Sequence, residues 1–239
     1  MNKKFLKSYR LIFITLLVVG ISPLLLWIRK NAPIVLEIFK RDVYNLELSY
    51  QVTVLLLAGC IIGIVYWMTG QDGISFLNLR KRDGGIVPEP WIGIKPKAHE
   101  TWKNLGFNFA IIITGVTAVI IYLQVFKGHT IHLEWFPGLL LVLVFSITNA
   151  FSEEIIYRFS FVAVVNKEGL SPYLAQGLAA VTFGTIHYFG TPGGIPGVLM
   201  AGFIGWFLAK SMNETKGFFW AWGIHFLQDV IIFFAKWMQ

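Results

Sequence analysis

The sequence predicts an all-α, polytopic transmembrane helical bundle of about seven to eight spans that encloses a polar intramembrane cavity. Composition is the first reason: of 239 residues, 56% are hydrophobic and only 14% are charged, whereas a soluble domain carries about 25% charged residues. The second reason is that the apolar residues form runs long enough to cross a bilayer. The third is a set of ionisable residues inside the later runs, because such groups face a bundle interior or a wet cavity.

Seven apolar runs in the sequence are predicted to be membrane spans. They cover residues 11–28, 51–69, 105–126, 136–165, 170–188, 196–209 and 217–235. The first run follows a basic segment, as in a signal peptide, but it is longer than a signal core and lacks a small-residue cleavage site. We therefore interpret it as a retained helix. Between the first two spans, an amphipathic interfacial helix is expected from Pro33 onward.

The basic residues of the chain predict its orientation in the membrane. The net charge of +7 does not indicate nucleic-acid binding, because the lysines and arginines lie in short flanks and loops around the spans. Residues 70–104, the longest polar stretch, are rich in such residues and are assigned to the cytoplasm by the positive-inside rule. The basic N-terminus lies two spans earlier and falls on the same side. We expect an integral protein of the plasma (inner) membrane with a cytoplasmic N-terminus.

A few other side chains with possible chemistry carry weak signals. Cys60 is the single cysteine, which excludes an internal disulfide and gives no indication of a metal cluster or a thiol nucleophile. His129 and His132, three residues apart in an outer loop, have a spacing that suits metal ligands on a helix. Loop histidines at an interface are usually solvated, however, and we assign them no site.

The fourth apolar run carries three charged residues within six positions: Glu153, Glu154 and Arg158. On a helix, Glu154 and Arg158 are one turn apart and can pair. Glu153 is rotated by about 100° from Glu154 and lacks that partner. The run therefore predicts one paired, structural carboxylate and one spare carboxylate that is available for chemistry.

Three further ionisable residues lie in the later spans. His225 and Asp229 are four residues apart and share one helix face, and His187 stands just before the Gly/Pro-rich segment 190–197. Each residue alone has a structural explanation, such as an ion pair or a hydrogen bond to the backbone. Together, an unpaired carboxylate, two histidines and a second carboxylate in neighbouring spans indicate an active site.

These residues resemble the signature motifs of a known family. The motifs are Glu153-Glu154-x-x-x-Arg158, Phe183-x-x-x-His187 and His225-x-x-x-Asp229. In this order and on separate helices, they are similar to those of the CPBP family of intramembrane proteases, which includes the type II CAAX prenyl endopeptidases and bacteriocin-processing or immunity relatives. The resemblance covers residues 136–235.

The resemblance implies a bundle of about eight helices around a conical, water-filled cavity. Residues 136–239 are then the catalytic core, and residues 1–135 are the N-terminal membrane helices with a basic cytoplasmic loop, within a single integral domain.

The resemblance also implies a role for each motif position. The implied catalytic set is Glu153, Glu154, His187, His225 and Asp229, with Arg158 as the structural ion-pair partner of Glu154. Glu153 is the general base that activates a water, and His187 helps to hold that water. His225 and Asp229 line the side where the oxyanion forms. Many family members have asparagine where this chain has Asp229, which leaves open whether residue 229 donates to the oxyanion or orients His225.

The sequence leaves three functions open. The first is an intramembrane endopeptidase that uses a glutamate-activated water and no cofactor. The second is a zinc-dependent intramembrane protease with His187, His225 and Glu153 as ligands, since two histidines and a carboxylate form a catalytic zinc set, although the chain has no His-Glu-x-x-His helix. The third is a non-enzymatic immunity, scaffold or transport protein that retains a polar core.

The expected partners are a membrane-anchored protein or peptide substrate and the lipid bilayer, with no nucleic acid. The identity of the substrate is open, since a prenylated tail, a bacteriocin leader, a sorting-signal tail and a peptide pheromone all fit. The Gly/Pro break after His187 and the basic cytoplasmic loops are the expected entrances for water and substrate.

Overall fold

Helices form the regular structure of the chain in the computed structural model, which describes residues 3–128, 130–133 and 138–238, with the backbone alone for residues 3–8. The α-helices are α1 Lys3–Asn31, α2 Asp42–Thr69, α3 Gln71–Ile74, α4 Trp102–Ile121, α5 Leu139–Glu154, α6 Ser160–Lys167, α7 Pro172–Ile186, α8 Gly194–Thr215 and α9 Phe219–Lys236. Within the described residues there is no β-strand, only an isolated bridge between Glu89 and Ile94. The predicted all-α class is confirmed.

Five of the described helical segments are long and apolar enough to cross a membrane, judged by length and composition. They are Tyr9–Asn31, Asp42–Thr69, Trp102–Phe126, Leu139–Lys167 and Gly194–Thr215. The other two predicted spans correspond to α7, which has 15 residues, and to α9, which carries His225, Gln228 and Asp229. Each predicted run therefore contains a helix, and the chain forms the helical membrane bundle that the sequence predicts.

The segment before α2 differs from the sequence-based expectation. Residues 32–41 are not helical, and α2 begins directly after them, before the predicted start of the second span. The prediction of an interfacial helix from Pro33 onward was therefore wrong. Asn45 explains the difference, because its Oδ1 accepts bonds from the backbone N–H groups of Ile38 and Phe39 (2.9 and 2.7 Å). This polar side chain holds a turn against the helix instead of facing the membrane surface.

Helix α8 continues by more than one turn beyond Ala209, the predicted end of the sixth span. Lys210, expected in a cytoplasmic flank, is instead fully buried. Its ammonium group donates to Glu214 and to the carbonyl oxygen of Val87 (2.8 Å). A buried ammonium must have its donors satisfied, and these bonds hold the basic segment 70–101 against the end of α8.

A π-helical turn at Ile155–Phe159 interrupts the fourth span and joins α5 to α6. Such turns are rare and appear frequently at functional sites. Here the turn comes directly after Glu153 and Glu154 and contains Arg158. The backbone therefore departs from regular α-helix at the charged motif, where the sequence predicts the site.

Helices α7 and α8 make the most extensive helix–helix contact in the described bundle. Small residues allow it: a Cβ at Gly205 would lie 2.7 Å from the carbonyl oxygen of Ala179, and a Cβ at Gly184 would lie 2.9 Å from that of Val198. Close helix packing in membranes relies on such small residues. The contact positions His187, at the end of α7, beside the start of α8.

Gly205→Ala is expected to lower the free energy of unfolding by about 1–3 kcal/mol, because the added methyl group overpacks the α7–α8 contact. Gly63→Ala in α2 is the matched control, since a Cβ there has nothing within 4 Å. It is expected to leave stability unchanged or to raise it, because alanine is the better helix former. Unfolding of the purified variants in one detergent, followed by tryptophan fluorescence, measures both. Equal stability of the two variants would contradict the close contact.

Some sequence-based expectations concern residues outside the described ranges. They include Phe136 as the start of the fourth span and the expected boundary between residues 135 and 136. His129 of the loop histidine pair also lies outside. Its neighbour His132 is described, and its backbone N–H donates to the carbonyl oxygen of Met238 (2.8 Å).

Candidate active site within the bundle

A buried ion pair between Glu154 and Arg158 lies at the inner end of the site. Arg158 Nη1 is 3.2 Å from Glu154 Oε1, and both side chains are fully buried. The guanidinium carbon of Arg158 also lies 3.5 Å from the centroid of the Phe183 ring, which is a cation–π contact. The pair is enclosed by protein and offers no surface to a substrate.

Glu153, one residue earlier, has a different environment. Its side chain is 17% exposed and lines a cavity of about 200 Å³. His187, Asp229 and Tyr50 line the same cavity. Among the described residues, no lysine or arginine forms an ion pair with Glu153. The cavity therefore contains a carboxylate without a cationic side-chain partner, next to a histidine and a second carboxylate.

His225, on α9, stands among three carboxylates. Its Nδ1 lies 2.7 Å from Glu154 Oε1, and because an ionised carboxylate only accepts, Nδ1 carries the proton of this bond. Its Nε2 lies 3.4 Å from Glu153 Oε2 and 3.7 Å from Asp229 Oδ1. The imidazole therefore connects the enclosed ion pair to the two carboxylates of the cavity.

His187 ends α7 and begins a short 3₁₀ turn. Its Nδ1 donates to the carbonyl oxygen of Phe183 (2.8 Å), since a carbonyl oxygen only accepts. The bond fixes the ring and, in the neutral imidazole, leaves Nε2 as an acceptor. The ring of Phe183 also packs against His187, with ring centroids 4.1 Å apart. A rigidly held acceptor nitrogen is thus available on the cavity wall.

A chain of amide hydrogen bonds reaches Asp229 from α2, and the sequence analysis missed it. Asn149 Nδ2 donates to Asp229 Oδ2 (3.1 Å). Gln51 Nε2 donates to Asn149 Oδ1 (3.2 Å) and to Glu47 Oε1 (3.0 Å). The predicted site contains ionisable residues alone. Uncharged amides inside apolar runs were the signal that could have revealed this chain, because buried amides need hydrogen-bond partners.

Charged residues from the ends of three helices form the rim of the cavity. Glu47, near the start of α2, is buried and accepts from Lys236 on α9 (2.8 Å) and from Arg29 on α1 (3.2 Å). The guanidinium of Arg29 also lies 4.2 Å from the centroid of the Tyr50 ring. Arg29, Tyr50 and Lys236 line the cavity together with Glu153. Arg29 and Glu47 were expected between the first two spans, without a connection to the site.

A wider groove continues from the rim between α1 and α2. It has a volume of about 490 Å³ and shares Arg29, Tyr50 and Lys236 with the cavity. Its other walls are mostly apolar, and among them Trp27 and Leu46 are well exposed. Exposed apolar side chains on a membrane-spanning helix meet lipid, so the groove leads from the cavity sideways towards the hydrocarbon.

The expected entrance through the basic cytoplasmic loops was wrong. The basic segment 70–101 packs at the opposite end of the bundle, where the Glu214 carboxylate accepts from the Val87 backbone (3.1 Å) and from the Trp102 indole (2.8 Å). Gly190, in the Gly/Pro break after His187, lines the cavity. The break therefore lies at the mouth of the site and the basic loop does not.

The histidine and carboxylate side chains of the site also bear on the zinc alternative. The described residues contain no group of three or more His, Cys, Asp or Glu side chains arranged to hold a metal ion. The ligands of the zinc alternative, His187, His225 and Glu153, therefore do not form a ready ligand set as they stand.

The arrangement supplies the kinds of group that hydrolysis requires. Two carboxylates and one imidazole nitrogen line a small cavity, and a second imidazole is held by a buried carboxylate behind it. Such a set can take a proton from water, hold that water and donate to a developing negative charge.

Comparison with known proteins agrees with this chemistry. Residues 134–231 match the family model described as Rce1-like, type II CAAX prenyl endopeptidase Rce1-like. The matched range contains all three of the motifs that sequence analysis singled out. A search of curated proteins and a search of solved structures each found no match. The match confirms the resemblance: residues 134–231 of this integral membrane protein are similar to the type II CAAX prenyl endopeptidases of the CPBP family.

Proposed function

We propose that the protein is an intramembrane endopeptidase in which Glu153 activates a water molecule to hydrolyse a peptide bond of a membrane-associated substrate. The main support is the contrast between two adjacent carboxylates. Glu154 is enclosed with Arg158, whereas Glu153 lines a cavity beside His187. A general base must reach water and substrate together, and only the second position allows this.

In the proposed reaction, a water in the cavity gives a proton to the Glu153 carboxylate while its oxygen attacks the carbonyl carbon of the peptide bond. His187 accepts a hydrogen bond from this water through Nε2. The former carbonyl oxygen becomes an oxyanion, to which His225 donates through Nε2 as an imidazolium, since its Nδ1 already donates to Glu154. The proton held by Glu153 then passes to the leaving amine as the C–N bond breaks.

The groove between α1 and α2 supports a substrate that stays attached to the membrane. An apolar anchor in the groove would bring the adjoining polypeptide past Arg29 and Lys236 to Glu153, because the groove and the cavity share these two cations. The matched family description names a prenyl endopeptidase. A prenyl chain is one anchor of suitable chemistry, and an acyl chain or an apolar helix is another.

The test uses purified protein in liposomes with synthetic peptides that carry lipid anchors. Mass spectrometry is expected to find cleaved fragments with the wild-type chain. The zinc alternative predicts that chelators stop this cleavage and that the purified protein contains zinc, whereas the glutamate mechanism predicts an unchanged rate with chelator. If a broad set of anchored peptides stays intact, the non-enzymatic immunity or scaffold alternative is favoured.

Asp229→Asn is expected to retain most of the cleavage activity, and Asp229→Leu is expected to lose it. Asparagine keeps one oxygen to accept from Asn149 and presents an amide donor to the oxyanion. Leucine leaves the buried Asn149 amide without its present partner, which costs about 1–3 kcal/mol, and it offers no donor. Cleavage rates of the two variants at saturating substrate measure the difference. If the asparagine variant is as inactive as the leucine variant, residue 229 acts through its charge by orienting His225.

A further inference from the structure

We propose that the catalytic cavity opens on the non-cytoplasmic face of the membrane, so that the peptide bond to be cleaved lies on the outer flank of an anchored or exported peptide. The substrate class rests on the proposed endopeptidase function. The side on which the cavity opens is inferred independently of that function. The inference uses the contacts that define the two ends of the bundle and the distribution of basic residues between these ends.

The first end of the bundle, the loop end, is where the basic segment packs. Arg10, in the early turns of α1, pairs with Glu168 after α6 (2.8 Å). Lys167, at the end of α6, pairs with Asp72 in α3 (2.7 Å). The indole of Trp220, at the start of α9, donates to the backbone of segment 70–101 at Arg82 (2.7 Å). The starts of α1 and α9, the end of α6 and the basic segment therefore all lie together.

The second end, the cavity end, is formed by the opposite termini of the same helices. Arg29 at the end of α1 and Lys236 at the end of α9 meet at Glu47, near the start of α2. Gly190, after the end of α7, lines the cavity together with Arg29 and Lys236. The cavity mouth and the basic segment are thus separated by the full length of the membrane-spanning helices.

The layer between the cavity and the loop end is closely packed. Phe159, Phe161 and Phe207 are fully buried in it, and the enclosed Glu154–Arg158 pair lies at the inner end of the cavity. This layer closes the site towards the loop end. A peptide therefore approaches Glu153 from the cavity end or through the groove beside it.

Basic residues are strongly biased towards the loop end. Residues 3–10 hold four of them, residues 80–103 hold six, and positions 167, 210 and 216 are lysines. The cavity end has only Arg29, Lys30, Lys40, Arg41, Lys127 and Lys236. In short loops near membrane spans, such a bias sets the orientation, with the richer side in the cytoplasm. The loop end is then cytoplasmic and the cavity end faces outwards.

This orientation restricts the side of the membrane on which a substrate segment can reach the cavity. A polypeptide segment that stays in the cytoplasm would meet the closed, basic end of the bundle. A segment that has crossed the membrane, or the outer flank of a membrane anchor, would meet the open cavity. The chain would thus act after export of its substrate, on a peptide bond that has reached the non-cytoplasmic side near the lipid surface.

Single cysteines in a Cys60→Ser background test this directly. Ile38→Cys and Phe189→Cys report on the cavity end, where both native side chains are well exposed. Gly85→Cys reports on the loop end, where a Cβ has nothing within 4 Å. Right-side-out membrane vesicles are treated with a membrane-impermeant maleimide, with and without detergent. The labelled fraction before detergent, divided by that after detergent, is the readout.

We expect Ile38→Cys and Phe189→Cys to label as fully before detergent as after it, and Gly85→Cys to label only after detergent. The reverse pattern, or labelling of both ends before detergent, would overturn the proposal. Two probes at the cavity end keep the test decisive if one variant fails to accumulate. The result does not depend on enzymatic activity, so failure of the orientation and failure of the endopeptidase function give different outcomes.

Discussion

Glu153→Gln is expected to lower the rate of peptide cleavage by at least about a hundredfold, since positioned general bases contribute about 10²–10⁴-fold to rates. The amide has the shape of the carboxylate, but it cannot take a proton from water. The only ion-pair contact of Glu153 among the described residues is with His225 at 3.4 Å, so the change removes little structural support. Initial rates at saturating substrate measure the effect, and the unfolding midpoint of the same sample reports on the fold.

Two matched variants serve as controls for the Glu153→Gln result. Asp72→Asn alters an exposed carboxylate at the opposite end of the bundle, paired with Lys167, and it is expected to cleave at the wild-type rate. Glu154→Gln alters the adjacent buried carboxylate, and it is expected to lower stability as well as rate because Arg158 loses its counter-ion. A Glu153→Gln protein that is folded and cleaves at the wild-type rate would contradict the proposed mechanism.

Arg158→Met is expected to lower the free energy of unfolding by about 3–5 kcal/mol, because removing one partner of a buried ion pair leaves an uncompensated buried charge. Both Glu154 and Arg158 are fully buried at 3.2 Å from each other, so water cannot replace the lost partner. The change also removes the cation–π contact with Phe183. Equilibrium unfolding of the purified protein in mixed detergent micelles measures the loss.

The double variant Glu154→Gln with Arg158→Met separates the ion pair from simple packing. It contains neither buried charge, and glutamine keeps an oxygen that can accept from His225 Nδ1. It is therefore expected to recover most of the stability that Arg158→Met loses, because coupled neighbours are not additive. If the double variant is as unstable as the sum of the single changes, packing around Arg158, and not its charge, supports the bundle.

Local sequence patterns predicted the helices of this protein well, but some of their ends poorly. Apolar runs of span length mark the helices because each run is a continuous stretch of the chain. The start of α2 was placed too late because Asn45 and Glu47 look like surface residues until their partners are known. Lys210 was placed in a flank for the same reason, since only the packed segment 70–101 supplies Val87 and Glu89 as partners for a buried ammonium.

The candidate site was predictable in its members and not in its surroundings. His225 and Asp229 share a helix face through a spacing of four residues, and the sequence analysis singled them out on that basis. Asn149 comes from another helix, so its bond to Asp229 depends on how α5 and α9 pack. No periodicity within one segment contains that information.

The sequence by itself determined that this chain is an all-helical membrane protein, that its later helices carry the ionisable residues, and that their motifs resemble those of the CPBP family. These are properties of composition and of spacing along one helix. Only the tertiary structure decided that Glu153 faces a cavity with His187, that Arg29, Glu47 and Lys236 from three helices form its rim, and that the basic segment closes the other end. These features depend on the rotation and depth of each helix, which are set by packing between residues far apart in the chain.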